Sequence, residues 1–313
     1  MISEYGLIIA GAAIAVVFAV WIYLRLRQGP KQQYSPFTQA LTLMLAGENR
    51  KALEILREVV KEDTDNIEAY ILYGDILRKL GQFKQAAKIH KELTVRERMK
   101  TDLRMTVLRS LLQDYIEGKM YQLALDCSDD LLSLGKDDLW TLNKRLGALE
   151  ALGDWKRSSE TARKIQNISG NQDRAQLSLY KVMEGRQLLE KGGREHDARL
   201  KFREGVKTDD RFAMPYLELA DSYLREDRTE DALKEWKRLF AKNPHHAYLA
   251  FGQLEDTLFD LNRFEELENI YRKLIAKAPD NSRAVAGLAK FLHRKGETGE
   301  AIKLCQEGLE HRP

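Results

Sequence analysis

The stretch that decides the fold is VVKEDTDNIEAYILYGDILRKLGQFKQAAKIHKEL, residues Val59–Leu93. It predicts a helix-turn-helix unit, with Gly74 in the first helix and Ala86 near the start of the second. Small side chains at these two positions let the helices of the unit approach closely, while large apolar side chains fill the space towards neighbouring units. Because one such unit cannot bury its own apolar face, the stretch predicts a stack of similar units.

The same pattern recurs to the end of the chain. A residue that is small in most units opens each second helix: Ala52, Ala86, Ala124, Ser158, Ala198, Ala232, Leu267 and Ala301. These markers lie 34, 38, 34, 40, 34, 35 and 34 residues apart, so the base period is 34, as in tetratricopeptide repeats. Twelve residues before each marker lies a mostly small or apolar position, to which Arg186 is an exception. We therefore predict an all-α tetratricopeptide-repeat superhelix of about eight units over residues 37–313.

An uncharged apolar segment, LIIAGAAIAVVFAVWIYL, occupies Leu7–Leu24. A helix of that length, with its apolar neighbours, reaches about 30 Å, which is the thickness of a bilayer core. We predict a single transmembrane anchor in residues 1–24 and a polar linker in residues 25–36. The predicted membrane-interface residues, aromatic or basic, are Trp21, Tyr23, Arg25 and Arg27.

Charged residues flank this segment unequally. Glu4 alone precedes it, whereas Arg25 and Arg27 follow it directly. The positive-inside rule therefore places the N-terminus outside and the repeats in the cytoplasm. A cleaved signal peptide is the alternative, but its usual basic N-terminal region and small-residue cleavage site are missing from the sequence.

Composition argues against several functional classes. The chain has 51 Lys and Arg against 48 Asp and Glu, a formal charge of +3, which disfavours nucleic acid as the main partner. The two cysteines, Cys127 and Cys305, lie far apart and form neither a CxxC zinc motif nor a disulfide framework. The sequence contains no phosphate-binding loop, dinucleotide fingerprint, nucleophile elbow or HExxH motif, so we predict a non-enzymatic protein without cofactor or metal.

Protein binding remains, and the first helices offer a surface for it. In tetratricopeptide domains, the positions three before and one after the small first-helix residue point into the concave face. We therefore predict a partner-binding groove at Ile71, Asp75, Arg109, Gln113, Asn143, Gln187, Leu217, Asp221, Asp256 and Lys290. The mixture of acidic, apolar and basic residues suits a folded partner or an extended segment that carries some positive charge.

The apolar segment, its basic flank, the linker and units such as KEDTDNIEAY and KIHKEL together resemble the lipopolysaccharide assembly protein B family of Gram-negative bacteria. The resemblance implies an inner-membrane adaptor that helps an FtsH-type ATP-dependent protease control a soluble deacetylase of the lipid A pathway. Anchoring supports that role, because confinement to one membrane raises effective concentration. The alternative is a generic anchored scaffold for another envelope machine, facing either the cytoplasm or the periplasm.

The resemblance stops at the C-terminus. Members of that family end in a zinc ribbon with two CxxC pairs, and this sequence has no such pair. No further helix follows the eighth unit, so we expect Ile302 and Leu309 to lack a polar cap. This pattern favours a natural chain that continues past Pro313, a covering partner or self-association.

Overall fold

A computed structural model describes residues 16–23, 35–97, 99–135, 138–192 and 194–310. Every regular element among these residues is helical, so the all-α prediction is confirmed. The helices are α1 (residues 16–23), α2 (Pro36–Leu45), α3 (Asn49–Glu62), α4 (Ile67–Lys79), α5 (Phe83–Thr94), α6 (Thr101–Glu117), α7 (Tyr121–Leu134), α8 (Leu139–Leu152), α9 (Trp155–Ser169), α10 (Arg174–Glu190), α11 (Glu195–Thr208), α12 (Met214–Leu224), α13 (Thr229–Lys242), α14 (Phe251–Asp260), α15 (Phe264–Lys277), α16 (Ser282–Lys295) and α17 (Thr298–Glu310), with a 3₁₀ helix over Pro244–Ala250.

The first helices of the repeats are the even-numbered helices from α2 to α16, and the second helices are the odd-numbered ones from α3 to α17. The eight marker residues of the second helices are all buried, as their sequence period predicts. Two compact units divide the chain, one up to Lys119 and one from Met120 onward.

The turn inside each repeat has a common backbone geometry. A residue with positive φ lies five or six positions before every marker: Gly47, Gly81, Lys119, Gly153, Gly192, Asp227, Asn262 and Gly296. Glycine suits this left-handed conformation because it has no Cβ. Lys119, Asp227 and Asn262 adopt it at φ 56° although they carry side chains. The turns therefore repeat even where the sequence signal for them is absent.

Helix starts also recur. The side-chain oxygen of Asn66 accepts a hydrogen bond of 3.0 Å from the backbone N–H of Ala69 at the start of α4. Asn281 caps α16 in the same way, with 3.1 Å to the N–H of Ala284. Such caps satisfy a backbone donor that the first helical turn leaves unpaired. They fix where these first helices begin.

One predicted packing position is shifted by a residue. Arg186 occupies the small first-helix position by sequence spacing, but Gly185 makes the close approach in α10. A Cβ on Gly185 would lie 2.3 Å from Cε1 of Phe202, which is fully buried in the second unit. Arg186 instead points outward, where its Nε donates to Glu218 Oε1 at 2.8 Å. Gly192 lies six residues before its marker Ala198, whereas the positive-φ residue of every other turn lies five before, so one extra residue in this turn shifts the register.

No helix among the described residues has the length and apolar character needed to cross a membrane. Of the predicted span Leu7–Leu24, residues 16–23 form the exposed helix α1, and the rest lies outside the described residues, as do Arg25 and Arg27. Trp21 and Tyr23 are exposed on α1, and the Trp21 ring stacks on Phe18 at 5.7 Å.

Candidate partner-binding site

The predicted groove residue Ile71 does not lie on an open surface. Only 7% of its surface is exposed, and it packs with Leu93 and Val107 in the core of the first unit. Its position on α4 turns the side chain towards α5 and α6 rather than towards solvent. Ile71 therefore packs as a core residue and offers little surface to a partner, and its contact with a partner stays a prediction.

Asp75, one turn further along α4, is held by an ion-pair cluster. Its Oδ1 accepts a hydrogen bond of 2.6 Å from Nη2 of Arg78, and Nη1 of Arg78 donates to Oδ1 of buried Asp114 at 2.8 Å. Burial lowers the pKa of the Arg78 guanidinium, but the charges of Asp75 and Asp114 outweigh burial and raise it overall. The carboxylate of Asp75 is thus already occupied inside the unit.

His90, for which the sequence pattern predicted no role, completes this cluster. The ring is fully buried, with Nδ1 2.5 Å from Asp114 Oδ2 and Nε2 3.1 Å from the carbonyl oxygen of Ile71. Gly74 makes room for it, because a Cβ there would lie 2.5 Å from Nε2 of His90. A histidine four residues after a small second-helix marker, facing a first-helix glycine, was the available signal.

The other predicted residues of the first unit lie on α6. Arg109 is exposed, and half-buried Gln113 donates a hydrogen bond of 2.7 Å to Glu117 Oε1 one turn away. Both side chains can be reached from solvent. The first unit therefore offers Arg109 and Gln113 to a partner more openly than Asp75.

In the second unit, hydrogen bonds join successive first helices. Asp221 on α12 accepts a bond of 2.8 Å from the side-chain amide of Gln253 on α14. Gln187 on α10 donates to the carbonyl oxygen of Gly153, which ends α8, at 3.3 Å. These bonds place predicted groove residues on neighbouring helices. Gln253, which the sequence spacing did not select, belongs to the same surface.

The remaining predicted residues differ in exposure. Asn143 on α8, Asp256 on α14 and Lys290 on α16 are exposed, whereas Leu217 on α12 is partly buried against the core. The side chain of Asn143 donates to the carbonyl oxygen of Leu139 at 2.7 Å. Polar side chains along first helices in one unit can bind protein through hydrogen bonds and charge.

Two stretches of the chain match family profiles described as tetratricopeptide repeat, residues 43–102 and residues 256–313. Tetratricopeptide repeats are confirmed in this chain. Such repeats typically form non-catalytic scaffolds that bind protein partners, so the chain is a protein-interaction scaffold. No group of three or more His, Cys, Asp or Glu residues within the described part of the chain could hold a metal ion.

The chain is 21% identical over 144 residues to lipopolysaccharide assembly protein B of Escherichia coli strain K12. The match covers 46% of this chain and 37% of that protein, so the chain spans well under two thirds of its relative. This similarity supports a tetratricopeptide-repeat relationship.

Matches to solved structures have low sequence identity and TM-scores below 0.5. A tetratricopeptide repeat protein from Parabacteroides merdae is 14% identical, with a TM-score of 0.40, and the match covers 88% of this chain and 97% of that one. YrrB, described as a tetratricopeptide repeat protein with an unusual peptide-binding site, is 16% identical, with a TM-score of 0.33 and coverage of 61% and 93%.

Proposed function

We propose that this chain is a membrane-anchored adaptor in lipopolysaccharide synthesis, whose second unit binds a protein partner through its first helices. The observation that carries the binding surface is the row of polar side chains on α8, α10, α12, α14 and α16. Its proposed contact residues are Asn143, Gln187, Asp221, Gln253, Asp256 and Lys290. The role in lipopolysaccharide synthesis rests on the similarity to lipopolysaccharide assembly protein B.

The proposed partners are an FtsH-type membrane protease and the soluble deacetylase of the lipid A pathway. An adaptor that is anchored beside the protease converts substrate delivery into a local event at high effective concentration. In this proposal the apolar segment Leu7–Leu24 is the anchor and the repeats face the cytoplasm. The repeats supply recognition, and the protease supplies the chemistry.

The contact surface is tested by charge reversal. Asp221→Lys with Asp256→Lys changes two carboxylates on neighbouring first helices. In an affinity pull-down of the full chain from its own membranes, read by mass spectrometry, the variant should recover at least about ten-fold less deacetylase than the wild type. A matched control, Asp130→Lys with Glu160→Lys, changes two exposed carboxylates on second helices and should recover wild-type amounts.

The two possible functions give different results in that experiment. Recovery of other envelope proteins without the protease and the deacetylase would replace this function with that of a scaffold for another envelope machine. Equal recovery by the groove variant and its control, with both chains folded, would show that Asp221 and Asp256 do not contact the partner. Circular dichroism of each variant establishes that the helices are intact.

The topology is tested with a native thiol. Cys305 is exposed on α17, whereas Cys127 is buried on α7. A membrane-impermeant maleimide applied to intact spheroplasts should leave Cys305 unlabelled, and lysis should then expose it. Labelling before lysis would place the repeats outside the cytoplasm and contradict the adaptor proposal.

A further inference from the structure

The second helices of the second unit carry a periodic set of cations that the proposed function does not use. Two basic side chains lie one turn apart near the C-terminal end of α11, α13 and α15, and each pair follows the previous one by 35 residues. These pairs, which we call the basic ladder, are Arg203 and Lys207, Arg238 and Lys242, and Lys273 and Lys277. All six side chains are exposed.

Two grooves accompany the ladder. The first, about 510 Å³ in volume, lies where α11, α12 and α13 meet, and its lining includes the aromatic ring of Tyr216. The second, about 750 Å³, lies between α13 and α15, with Phe240, Ile270 and Leu274 in its lining. Both grooves include Ala241, so they adjoin across α13.

Charge is concentrated in these grooves. Their linings contain seven cationic side chains, namely Arg174, Lys207, Arg238, Lys242, Lys237, Lys273 and Lys277, and three carboxylates, namely Asp210, Glu265 and Glu266. The net charge of the two linings, seven positive minus three negative, is +4, which exceeds the formal charge of +3 of the entire chain. In the rest of the protein positive and negative charges are therefore close to equal in number, whereas on this surface positive charges are in excess.

Internal ion pairs leave part of this charge available. Lys242 pairs with Asp210 at 2.6 Å, and Arg238 pairs with Glu235 at 2.7 Å. Among the ion pairs of the described residues, none includes Lys207, Lys273 or Lys277. These three exposed ammonium groups are positioned to bind a carboxylate that approaches from outside.

We propose that the basic ladder and its two grooves bind an extended acidic peptide segment of a partner protein, with apolar side chains seated on the groove floors. Neighbouring second helices lie roughly a helix diameter apart, about 10–12 Å. An extended chain covers that distance in about three to four residues. The fitting segment therefore has acidic residues at that spacing with apolar or aromatic residues between them, and the side-chain amide of Asn269 can pair with its backbone.

The recessed shape favours a peptide over a lipid surface. The cations line grooves whose linings also contain the apolar side chains of Phe240, Ile270 and Leu274 and the ring of Tyr216. A bilayer is a broad anionic plane and suits cations that protrude from a surface. A narrow peptide can instead place each side chain against a cation or an apolar floor.

The test uses the full chain in a micelle of uncharged detergent and a fluorescein-labelled peptide of about twelve residues, with Glu at every third position and Phe after each Glu. Fluorescence anisotropy should show binding that weakens as sodium chloride rises, because the contacts are exposed. The same peptide with Lys in place of Glu should not bind.

Two double variants probe the two grooves separately. Lys207→Glu with Lys242→Glu, and Lys273→Glu with Lys277→Glu, should each weaken binding about ten-fold or more. Arg163→Glu with Lys164→Glu makes the same charge change on exposed residues of α9, outside both grooves, and should bind like wild type. All three are on the surface, so folding should be retained.

The outcomes separate the alternatives. Equal binding by the ladder variants and the α9 control overturns the proposal. If phosphatidylglycerol vesicles displace or replace the peptide and depend on the same lysines, while phosphatidylcholine vesicles do not, the surface faces lipid and the peptide proposal is also overturned. The result is independent of the first-helix surface, because the Asp221 and Asp256 variant leaves the ladder intact.

Discussion

The two units fill the same structural position in different ways. Four residues after the second-helix marker lies a side chain that packs against first helices. In the repeat formed by α4 and α5, in the first unit, this residue is His90, which belongs to a buried cluster with Arg78 and Asp114. In the second unit the equivalent residues include Phe202 and Trp236, which lie in an apolar core. A repeat position thus fixes where a side chain packs and leaves its chemistry open.

The difference predicts how each unit tolerates change. A buried charge cluster is stable only while all its members are present, because removing one leaves another charged group without its partner. An apolar core loses stability mainly through lost contacts and cavities. The following substitutions test this contrast, starting with the largest expected effect.

Asp114→Ala should have the largest effect. The Asp114 carboxylate is fully buried and contacts both Arg78 and His90. Removing it leaves buried Nδ1 of His90 without its carboxylate and leaves Arg78 with Asp75 as its remaining close partner, so the free energy of unfolding of the first unit should fall by about 3–5 kcal/mol.

Hydrogen exchange read by mass spectrometry measures that loss for each unit in the same sample. Peptides from α4, α5 and α6 should exchange faster, while peptides from α12 to α16 keep wild-type protection. Wild-type protection of α4, α5 and α6 in the variant would show that the cluster does not stabilise the first unit.

Close helix approach should be equally sensitive in both units. Gly74 faces His90, and Gly185 faces Phe202, each so closely that a Cβ would lie under 3.0 Å from the ring. Gly74→Ala and Gly185→Ala should each cost about 1–3 kcal/mol through overpacking. Gly147→Ala is the matched control, because a Cβ there meets nothing within 4 Å, and it should stabilise α8 by about 0.5–1 kcal/mol.

Urea denaturation followed by circular dichroism gives these three values. Stabilisation by all three substitutions would mean that the rings move aside at no cost, and the contacts would then not be tightly packed.

These contacts mark how far the sequence could be interpreted. The period of 34 identified the eight markers, and all eight are buried. The shift from Arg186 to Gly185 could not be predicted, because an insertion changes register without leaving a local signal. The inward position of Ile71 was missed for a related reason: spacing gives a face of a helix, but the tilt of neighbouring helices decides which edge of that face is covered.

The candidate site was predictable to a similar degree. Spacing selected Asp221 and Gln187, whose hydrogen bonds do reach neighbouring parts of the array. It did not select Gln253 or the cluster around His90, since both depend on pairs of residues from different repeats. The period of 35 in the basic ladder is visible in the sequence, but the two grooves that suggest a binding site beside it are visible only in the structure.

Alkaline pH should affect the second unit through Tyr271, which occupies the position equivalent to His90. Its buried hydroxyl donates to Glu255 Oε1, and burial, followed by that hydrogen bond, raises the pKa of Tyr271 well above its usual value of about 10. The folded state keeps the proton while the unfolded chain releases it. Stability is therefore complete below pH 10 and falls as pH rises beyond it.

Tyr271→Phe should reduce that alkaline loss, because it removes the ionisable group from the unfolded chain. Thermal melts of the variant and the wild type between pH 8 and about pH 11 measure the difference in slope. Parallel slopes would assign the alkaline loss to other groups. Tyr121→Phe changes a tyrosine of α7 outside this core and serves as the control.

The smallest effect is expected at Trp236. Its side chain is fully buried, but its Nε1–H faces no hydrogen-bond acceptor among the described residues. Trp236→Phe removes an unpaired buried donor, which is favourable, and leaves some empty volume, which is unfavourable. The two contributions oppose each other, so the free energy of unfolding should change by only about 1 kcal/mol, measured by urea denaturation. A loss of about 3 kcal/mol or more would contradict this balance, because the lost contacts of the indole would then far outweigh the relief of its unpaired donor.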